Sequence, residues 1–390
     1  PVVQTANRLA GYFVGVVLLL AAVTWIIWRQ ADPSRALDNA IALLIVTCPC
    51  ALALSTPLAV SVAIGRAATQ GILIKGGDAL EQLARPSQLL LDKTGTITEA
   101  RGSVVEWRGP DEVRPLVLAL EQHSSHPIAD AFRRDWGDVA VVVATDVRYA
   151  VGGGIEGIVG GARVVVGSPQ LVRALADDES ALRLQSADAV LTPVLVAVNG
   201  RVVAEAKIGD PIRGDAQRAI SRLRAKGWDV GILSGDATEV VDAVGRALGL
   251  EPGACVGAAS PEAKLQRVLA ERRQGRVVMV GDGINDAAAM AAASVGVGVH
   301  GGAEACLQTA DVYLTRPGLA PLVELMEGSR RTMFIIKRNI GFSLLYNIAG
   351  AALAMSGILS PLIAAVMMPA SSLTVVLASW RSRTFSEEKA

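Results

Sequence analysis

Apolar residues are concentrated in four long stretches that predict helices crossing a membrane. Two lie near the start of the chain and two near its end, running from about Leu9 to Trp28, Ala40 to Ile64, Ile340 to Met355 and Pro361 to Ala378. A spanning helix needs about 20 mainly apolar residues. Each stretch approaches that length, the third only with its flanking residues. The pattern therefore predicts four membrane helices around a water-exposed middle section.

The middle section alternates short apolar strands with helical stretches. Five segments rich in Val, Ile and Leu predict buried strands, at Gln88–Leu91, Asp229–Leu233, Arg276–Val280, Gly296–Val299 and Asp311–Leu314. Polar groups follow three of these strands, namely Asp92, the Ser234-Gly235-Asp236 run and Asp282. In an open parallel sheet the chemistry lies beyond the carboxyl ends of the strands. The three polar ends therefore predict a single site on an α/β sheet.

A different pattern fills the region between about Glu99 and Gly200. Gly-rich hairpin material from Val151 to Gly167 and few charged strand ends indicate an inserted domain. The predicted division is two membrane helices over 1–70, an α/β domain built from 85–98 and 201–318, an inserted α+β domain over 99–200, and two further membrane helices over 330–380.

Charge and composition limit the function classes that remain. Lys plus Arg and Asp plus Glu both number 37, so no net field favours nucleic acid as a partner. Apolar residues make up 51% of the chain and aromatic residues 4%, which fits membrane helices joined to a soluble middle. Basic residues such as Arg66 and Lys337 flank one side of the predicted spans. The positive-inside rule therefore puts the middle section in the cytosol.

The run from Asp92 to Thr96, Asp-Lys-Thr-Gly-Thr, stands directly after a predicted strand. A carboxylate there can attack the γ-phosphorus of ATP and form an aspartyl phosphate. Asp282 and Asp286 supply further carboxylates, and Mg²⁺ bound with phosphate oxygens needs only one or two. Lys264, at a predicted helix start, can neutralise charge on the transferring group. The alternative is a set of acidic turns that cap helices in an α/β domain without a nucleotide.

Two cysteines separated by a proline, Cys48-Pro49-Cys50, lie in the middle of the second apolar stretch. On an intact helix, residues two apart point about 200° from each other, so the thiols could not share an ion. The proline breaks the helix and allows both sulfurs to converge. Paired thiolates select soft ions such as copper(I), silver(I) or zinc. The alternative is two small buried side chains beside a proline kink.

These motifs resemble those of the heavy-metal-translocating P-type ATPases, in particular the copper(I)-exporting branch. The resemblance implies a haloacid dehalogenase-like, doubly wound parallel sheet as the phosphorylation domain, with Asp92 as the phosphorylated aspartate. It implies that the carbonyl of Thr94 helps Asp92 to hold Mg²⁺. Asp282 and Asp286 match the family's magnesium-binding motif, and Lys264 matches its phosphate-contacting lysine.

The inserted region carries motifs similar to those with which the family binds ATP. Ser124-Ser125-His126-Pro127 resembles a Ser-Glu-His-Pro signature, which implies that His126 contacts the nucleotide and that Glu121 lies near the adenine. Gly152-Gly153-Gly154 resembles a Gly-x-Gly motif, in which the backbones of Gly152 and Gly154 meet the nucleotide. In the α/β domain, Ser234-Gly235-Asp236 stands where Thr-Gly-Asp is usual, which implies a nucleotide contact from Asp236.

Two motifs in the last apolar stretches also resemble the copper(I) branch: Tyr346-Asn347 and a Met-x-x-Ser-Ser run. The resemblance implies that four residues join Cys48 and Cys50 in the transported-ion site: Tyr346, Asn347, Met368 and Ser372. A zinc or cadmium pump would be expected to place a carboxylate in these spans, and residues 341–379 contain none. A soft monovalent ion, copper(I) or silver(I), is therefore favoured.

The expected function is ATP-driven export of copper(I), with ATP and Mg²⁺ as cofactors. Expected partners are ATP, the soft ion, the lipid bilayer and a copper chaperone, in a bacterial plasma membrane with the soluble domains in the cytoplasm. The family's actuator motif Thr-Gly-Glu does not occur in the sequence, so the chain is expected to be a carboxyl-terminal portion without complete transport. The alternatives are a zinc or cadmium pump, a soluble haloacid dehalogenase-like phosphatase and a nonenzymatic metal-binding membrane fragment.

Overall fold

The computed structural model describes residues 2–48, 50–138, 142–150, 154–175, 191–283, 285–302, 304–382 and 384–385. The helices of this part of the chain, α1 to α14, are Val2–Ala31, Pro33–Val46, Cys50–Thr69, Gly77–Leu83, Arg114–Glu121, Pro127–Asp135, Pro169–Leu175, Ala216–Ala225, Thr238–Ala247, Pro261–Gln274, Ala287–Ala292, Glu304–Thr309, Ala320–Met355 and Pro361–Trp380. The strands, β1 to β13, are Ile72–Ile74, Gln88–Leu91, Ser103–Arg108, Ala144–Ala150, Gly154–Val159, Ala162–Gly167, Thr192–Val198, Arg201–Gly209, Asp229–Leu233, Cys255–Val256, Val277–Gly281, Val295–Gly298 and Val312–Leu314.

Seven of the described strands form one sheet, in the order β1-β13-β12-β11-β2-β9-β10. Neighbouring strands are parallel except β1 and β13, which are antiparallel. Strand β2 lies between β11 and β9, where Leu91 is paired with Val280 on one side and Ile232 on the other. The five predicted strands are all present, each within one residue of its predicted bounds. The predicted parallel α/β sheet is therefore confirmed.

Helices cover both faces of this sheet, which explains the unbroken apolar run of β2. Successive side chains of a strand point to opposite faces, so a strand covered on both sides is apolar throughout. Leu89 and Leu91 pack on one face in a cluster that includes Ile220 of α8. Leu90 packs on the other face with Val268 of α10. Asp92 follows at the end of this run.

The other six described strands form an antiparallel sheet in the order β3-β8-β7-β6-β5-β4. Helices α5 and α6 cover one face through buried side chains such as Val117 and Phe132. The predicted division placed residues 201–209 in the α/β domain, but they form β8 and pair with β3 and β7. Asn199 and Gly200, both with positive φ, form the two-residue turn between β7 and β8. An Asn-Gly pair is a strong hairpin signal, so the predicted boundary falls inside a hairpin.

Two antiparallel segments connect the sheets. Thr98 and Ile212 form an isolated β-bridge between them. The Arg213 N–H donates to the Ile97 carbonyl at 2.9 Å, and the Thr98 hydroxyl donates to Asp210 at 2.5 Å. The antiparallel sheet is therefore an insertion joined to the parallel sheet at one place.

Two helices of the described chain are long and apolar enough to cross a membrane: Val14–Ala31, within α1, and Pro361–Trp380, which is α14. Only 17% of each of these segments is buried, whereas the core helix of a soluble protein is mostly buried. Large apolar side chains such as Leu19 and Val366 are exposed on them. Both helices therefore have the apolar surface that a lipid environment would cover.

The prediction of four spanning helices is thus wrong for the described residues, where two meet the criterion. The predicted span Ala40–Ile64 is interrupted where α2 ends at Val46 and α3 begins at Cys50. The predicted span Ile340–Met355 is the last part of α13. The apolar run ends where the helix ends at Met355, and the polar residues Arg338 and Asn339 directly precede it, so the run is shorter than a spanning helix needs.

Helix α13 also packs closely against α2 near the cysteine-proline motif. A Cβ added at Gly350 would lie 2.5 Å from a methyl group of Val46, so the glycine permits the helices to approach. At the opposite end, Phe385 packs against Gly328 of α13 and is only 8% exposed. A Cβ at Gly328 would lie 2.2–2.5 Å from three atoms of its ring. The residues after α14 are therefore attached to α13 through this contact.

We expect Phe385→Ala to destabilise the folded chain by up to about 3 kcal/mol, because it removes a buried ring. Gly328→Ala should have a similar effect, since the added Cβ displaces that ring. The two changes should not be additive, because both remove the same contact. Differential scanning fluorimetry of the detergent-solubilised chain measures this, with exposed Phe334→Ala as the control. Additive losses would show that the two residues act independently and do not stabilise the chain through one shared contact.

Candidate functional site

Asp92 lies at the carboxyl edge of the parallel sheet, at the end of β2. Its N–H donates to the Val280 carbonyl of β11 at 2.8 Å, so the sheet hydrogen bonding continues up to this residue. The neighbouring strands β9 and β11 lead into Ser234 and Asp282. The structure therefore brings together the three strand ends that the sequence predicted to share a site.

A tight turn over Lys93–Ile97 follows Asp92 and folds back over the edge of the sheet. Gly95 has φ +73°, a conformation that favours glycine, and an added Cβ would lie 3.3 Å from an Asp282 carboxylate oxygen. Arg213 donates to the carbonyls of Gly95 at 2.9 Å and of Thr96 at 3.0 Å. Arg213 is not among the predicted site residues. Carbonyl groups in a buried loop need donors, but nothing in the sequence shows which donor reaches them.

The Lys264 ammonium joins two carboxylates at the centre of the site. It donates to Asp92 Oδ1 at 2.5 Å and to Asp286 Oδ1 at 2.6 Å, and all three residues are buried. Ser260 caps helix α10 by accepting from the Ala263 N–H, which fixes the first turn that carries Lys264. Two carboxylates and one ammonium leave one negative charge uncompensated in this group.

The pKa values reflect this balance. Burial and the Asp286 charge raise the pKa of Asp92 to about 7, because Lys264 offsets them only in part. Burial also raises the pKa of Asp286. Burial by itself would lower the pKa of Lys264, but the two carboxylates hold it above its usual value. Lys264 therefore remains cationic, while the carboxylates would gain from a second positive charge.

Asp236 lies on the other side of Asp92, in the turn after β9. It accepts from Ser234 Oγ at 2.7 Å and pairs with the Lys93 ammonium at 3.2 Å. Burial would raise its pKa, but these partners hold the pKa below its usual value. The Thr94 hydroxyl is 3.4 Å from the same carboxylate. Asp236 is thus an anion that orders the turn around Asp92.

A cavity of about 620 Å³ opens above these groups and is lined by Asp92, Thr94, Asp236, Lys264 and Asp282, among others. No cluster of three or more His, Cys, Asp or Glu side chains within the described residues forms a ready-made metal site. A magnesium ion that takes most of its ligands from phosphate and water does not need one. The net negative charge around Lys264 fits such an ion.

A second cavity, of about 590 Å³, lies in the antiparallel sheet domain beside Glu121 and His126. Side chains of Ile155, Val166 and Val194 supply apolar lining. His126 Nδ1 accepts from the Ile128 N–H at 3.3 Å and so caps helix α6. With Nδ1 engaged as an acceptor, Nε2 is the ring nitrogen left to donate to a ligand.

Glu121 is buried at the end of α5, and burial raises the pKa of its carboxyl to about 7. Arg133 lowers that pKa by less than burial raises it. The Arg133 guanidinium donates to the carbonyls of Glu121 and Ser124, which braces the loop between α5 and α6. Arg133 is likewise absent from the predicted site residues, because its partners are backbone atoms and leave no motif in the sequence.

Of the two glycines predicted to contact the nucleotide, Gly154 lies within the described residues and Gly152 lies outside them. Gly154 begins β5 and lines the second cavity. An added Cβ would lie 2.3 Å from Leu171 and 2.6 Å from the Val166 carbonyl, so the neighbouring chain leaves no room for a side chain.

The first two predicted ion ligands, Cys48 and Cys50, lie at the break between α2 and α3. Cys48 directly follows the capped end of α2, and its N–H donates to the Ile45 carbonyl at 3.2 Å. Pro49 and the side chain of Cys50 lie outside what the structure describes. Tyr346 and Met367 pack against a cluster that contains Val46, two residues before Cys48.

The remaining predicted ligands lie on α13 and α14. Tyr346 donates to the Met367 carbonyl at 2.8 Å, which ties the two helices together. Asn347 is 6% exposed. Met368 and Ser372 are half-buried on successive turns of α14, where Ser372 Oγ donates to the Met368 carbonyl at 3.3 Å. Helices α2, α13 and α14 thus pack together around the cluster that contains Val46.

Comparisons with known proteins agree with these features. A family described as haloacid dehalogenase-like hydrolase matches residues 88–294. The chain is similar to a probable copper-importing P-type ATPase A of Enterococcus hirae, at 36% identity over 97% of this chain and 53% of that protein. It is 35% identical to a probable copper-exporting P-type ATPase V of Mycobacterium tuberculosis, over 100% of this chain and 52% of that protein. The chain thus spans about half the length of these curated relatives.

Among solved structures, the chain resembles a zinc-transporting PIB-type ATPase in an E2.Pi state. The TM-score is 0.81 at 32% identity, over 96% of this chain and 63% of that one. The family match covers more than half of the chain, from the first residue of β2 to the residue before β12. The chain belongs to the haloacid dehalogenase-like hydrolases, and the resemblance to heavy-metal P-type ATPases drawn from its sequence is confirmed.

Proposed function

We propose that this chain transfers the γ-phosphoryl group of ATP to Asp92 as part of a membrane cation pump. One observation carries the proposal: Lys264 Nζ contacts both Asp92 and Asp286, at 2.5 and 2.6 Å, at the edge of the parallel sheet. This arrangement holds a nucleophilic carboxylate beside a buried cation in a cavity large enough for a phosphoryl group.

The chain's own groups divide the work of the reaction. Lys264 holds Asp92 Oδ1, so Oδ2 is the oxygen that forms the new bond to phosphorus while the bond to ADP breaks. The ammonium also offsets charge on the phosphoryl oxygens. Arg213 fixes the carbonyls of the turn after Asp92, which keeps its N–H groups in place.

Asp92, the Thr94 carbonyl, Asp282 and Asp286 would hold Mg²⁺, which when bound neutralises phosphate charge. Asp286 already contacts Lys264, so its part would be to balance charge as much as to ligate. The raised pKa values of Asp92 and Asp286 support this assignment, since a further cation would stabilise both as anions.

The second cavity is proposed as the ATP site. Its apolar lining suits a purine base, and the buried Glu121 can recognise one by hydrogen bonding. His126 Nε2 can donate to a phosphate oxygen. Gly152 and Gly154 would let the backbone approach the nucleotide. Asp236, in the turn after β9 of the parallel sheet, would also contact the nucleotide.

Asp92→Asn should abolish the phosphoenzyme, because an amide cannot attack phosphorus. The measurement is acid-stable, hydroxylamine-labile labelling of the full-length protein by ATP. Asp229→Asn is the matched control, because it changes an exposed carboxylate at the opposite end of the adjacent strand β9. Labelling should fall to background in the first variant and stay within about twofold in the second. Persistent labelling of Asp92→Asn would exclude it as the nucleophile.

Glu121 should make the folded chain less stable as pH rises. Its pKa is about 7 in the folded chain, above the ordinary value of 4.5 that the unfolded chain has, so the unfolded chain loses this proton first. Stability should therefore decline between pH 4.5 and 7 and then level off, by up to about 3 kcal/mol. Glu121→Gln should remove that part of the decline in thermal midpoint, and exposed Glu112→Gln should not. An unchanged pH profile in Glu121→Gln would contradict the raised pKa.

We further propose that the cargo is copper(I) or silver(I) and that the direction is export. Cys48, Cys50 and Met368 offer soft sulfur, and Tyr346, Asn347 and Ser372 offer harder atoms. With no carboxylate in residues 341–379, little would offset the second charge of Zn²⁺ in a medium of low dielectric constant. The proposed location is a bacterial plasma membrane, and the proposed protein partner is a copper chaperone.

A zinc or cadmium pump remains the second candidate, because a similar solved structure is that of a zinc-transporting ATPase. The exposed apolar helices Val14–Ala31 and Pro361–Trp380 speak against a soluble phosphatase. A nonenzymatic metal-binding fragment would bind the ion without forming a phosphoenzyme.

Copper(I) and silver(I) should stimulate ATP hydrolysis by the full-length protein, and zinc and cadmium should not. Cys48→Ser should remove the stimulation, because it removes one of the soft ligands. Cys255→Ser is the matched control, because that thiol lies in the parallel sheet. Uptake of the ion into inside-out vesicles would establish export. Zinc-stimulated turnover that survives in Met368→Ala would contradict the copper assignment.

A further inference from the structure

An exposed aromatic side chain lies at the proposed nucleotide cavity without a role in the chemistry described so far. Tyr149, near the end of β4, lines the same cavity as Glu121 and His126 and is 66% exposed. A ring with this exposure gains little from burial. The sequence motifs gave no reason to single it out, because it lies outside the Gly-Gly-Gly run.

Two attachments hold this ring in place. The Tyr149 backbone pairs with Ile155 of β5, whose side chain also lines the cavity. At the other end of the side chain, the hydroxyl donates to the His123 carbonyl, in the turn that follows α5. The ring is therefore fixed between the sheet and the loop that carries His126. An exposed aromatic ring fixed at a cavity is already oriented for a ligand.

We propose that Tyr149 is a positioning residue whose ring stacks on the purine base of the nucleotide. This inference rests on the proposed function, because it assumes that the cavity binds ATP. Bases stack on aromatic side chains through their flat faces, and the contact depends little on which base is present. Tyr149 therefore contributes affinity and orientation, while Glu121 recognises the edge of the base.

A stacking role and a purely structural role predict different effects of losing the hydroxyl and of losing the ring. If the hydroxyl contact to His123 were the purpose of the side chain, loss of the hydroxyl would be as harmful as loss of the ring. If stacking is the purpose, the ring alone should suffice. The affinity for the phosphate groups should not change in either case, because the ring contacts the base.

The test compares nucleotide affinities of the intact chain carrying Tyr149→Phe, Tyr149→Leu or Tyr149→Ala. Leucine keeps an apolar side chain but has no flat face, so it covers the case in which alanine disturbs folding. Arg148→Ala is the matched control, because neighbouring strand residues point to opposite faces. Isothermal titration with ATP, adenosine and tripolyphosphate reports the base and phosphate contributions separately.

We expect Tyr149→Leu and Tyr149→Ala to weaken ATP and adenosine binding at least fivefold, about 1 kcal/mol at 1.4 kcal/mol per tenfold change. Tyr149→Phe and Arg148→Ala should stay within twofold of the unchanged chain, and tripolyphosphate affinity should not change. Unchanged ATP affinity in Tyr149→Leu would overturn the inference, as would an equal loss in Tyr149→Phe. If the unchanged chain bound neither ATP nor adenosine, the proposed nucleotide site itself would fail.

Discussion

The Lys264 ammonium, placed between the carboxylates of Asp92 and Asp286, is the contact on which the proposed phosphorylation site depends. Buried carboxylates are costly unless a cation compensates them, and breaking a buried ion pair typically costs about 3–5 kcal/mol. One ammonium serves two carboxylates here, at 2.5 and 2.6 Å. The group is thus held together and still lacks one positive charge. A magnesium ion at the proposed site would supply that missing positive charge.

Helix α13 provides a continuous connection from the parallel sheet domain to the apolar helices α2 and α14. Its 36 residues span about 54 Å at 1.5 Å per residue. Asp215, just before α8, accepts from the N–H groups of Leu319 and Ala320 and so caps the helix from outside. Tyr346 and Asn347 lie far along the same helix, and Tyr346 packs against the cluster that contains Val46 at the end of α2. One continuous helix therefore joins the parallel sheet domain to two of the proposed ion ligands.

The second cavity lies in the antiparallel sheet domain, whose apolar core is separate from the core of the domain that carries the proposed phosphorylation site. Glu121 and His126 are brought together by the turn between α5 and α6, which Arg133 braces through backbone carbonyls. Two antiparallel segments alone join this domain to the parallel sheet in the described chain. Binding of a nucleotide and transfer of its phosphate are thus assigned to units with independent packing.

The sequence by itself determined the parallel sheet and its acidic edge, because buried strands must be apolar and their polar ends must meet at one edge. It also determined the family, through the Asp92 and Asp282 motifs. The Asn199-Gly200 pair also marked the hairpin that carries β8 into the inserted sheet, although the predicted boundary overlooked it. Only the tertiary structure decided that Arg213 holds the turn after Asp92 and that Tyr149 lines the cavity. These contacts join residues far apart in the chain and involve backbone partners. Local composition does not encode them, so no pattern of neighbouring residues could reveal them.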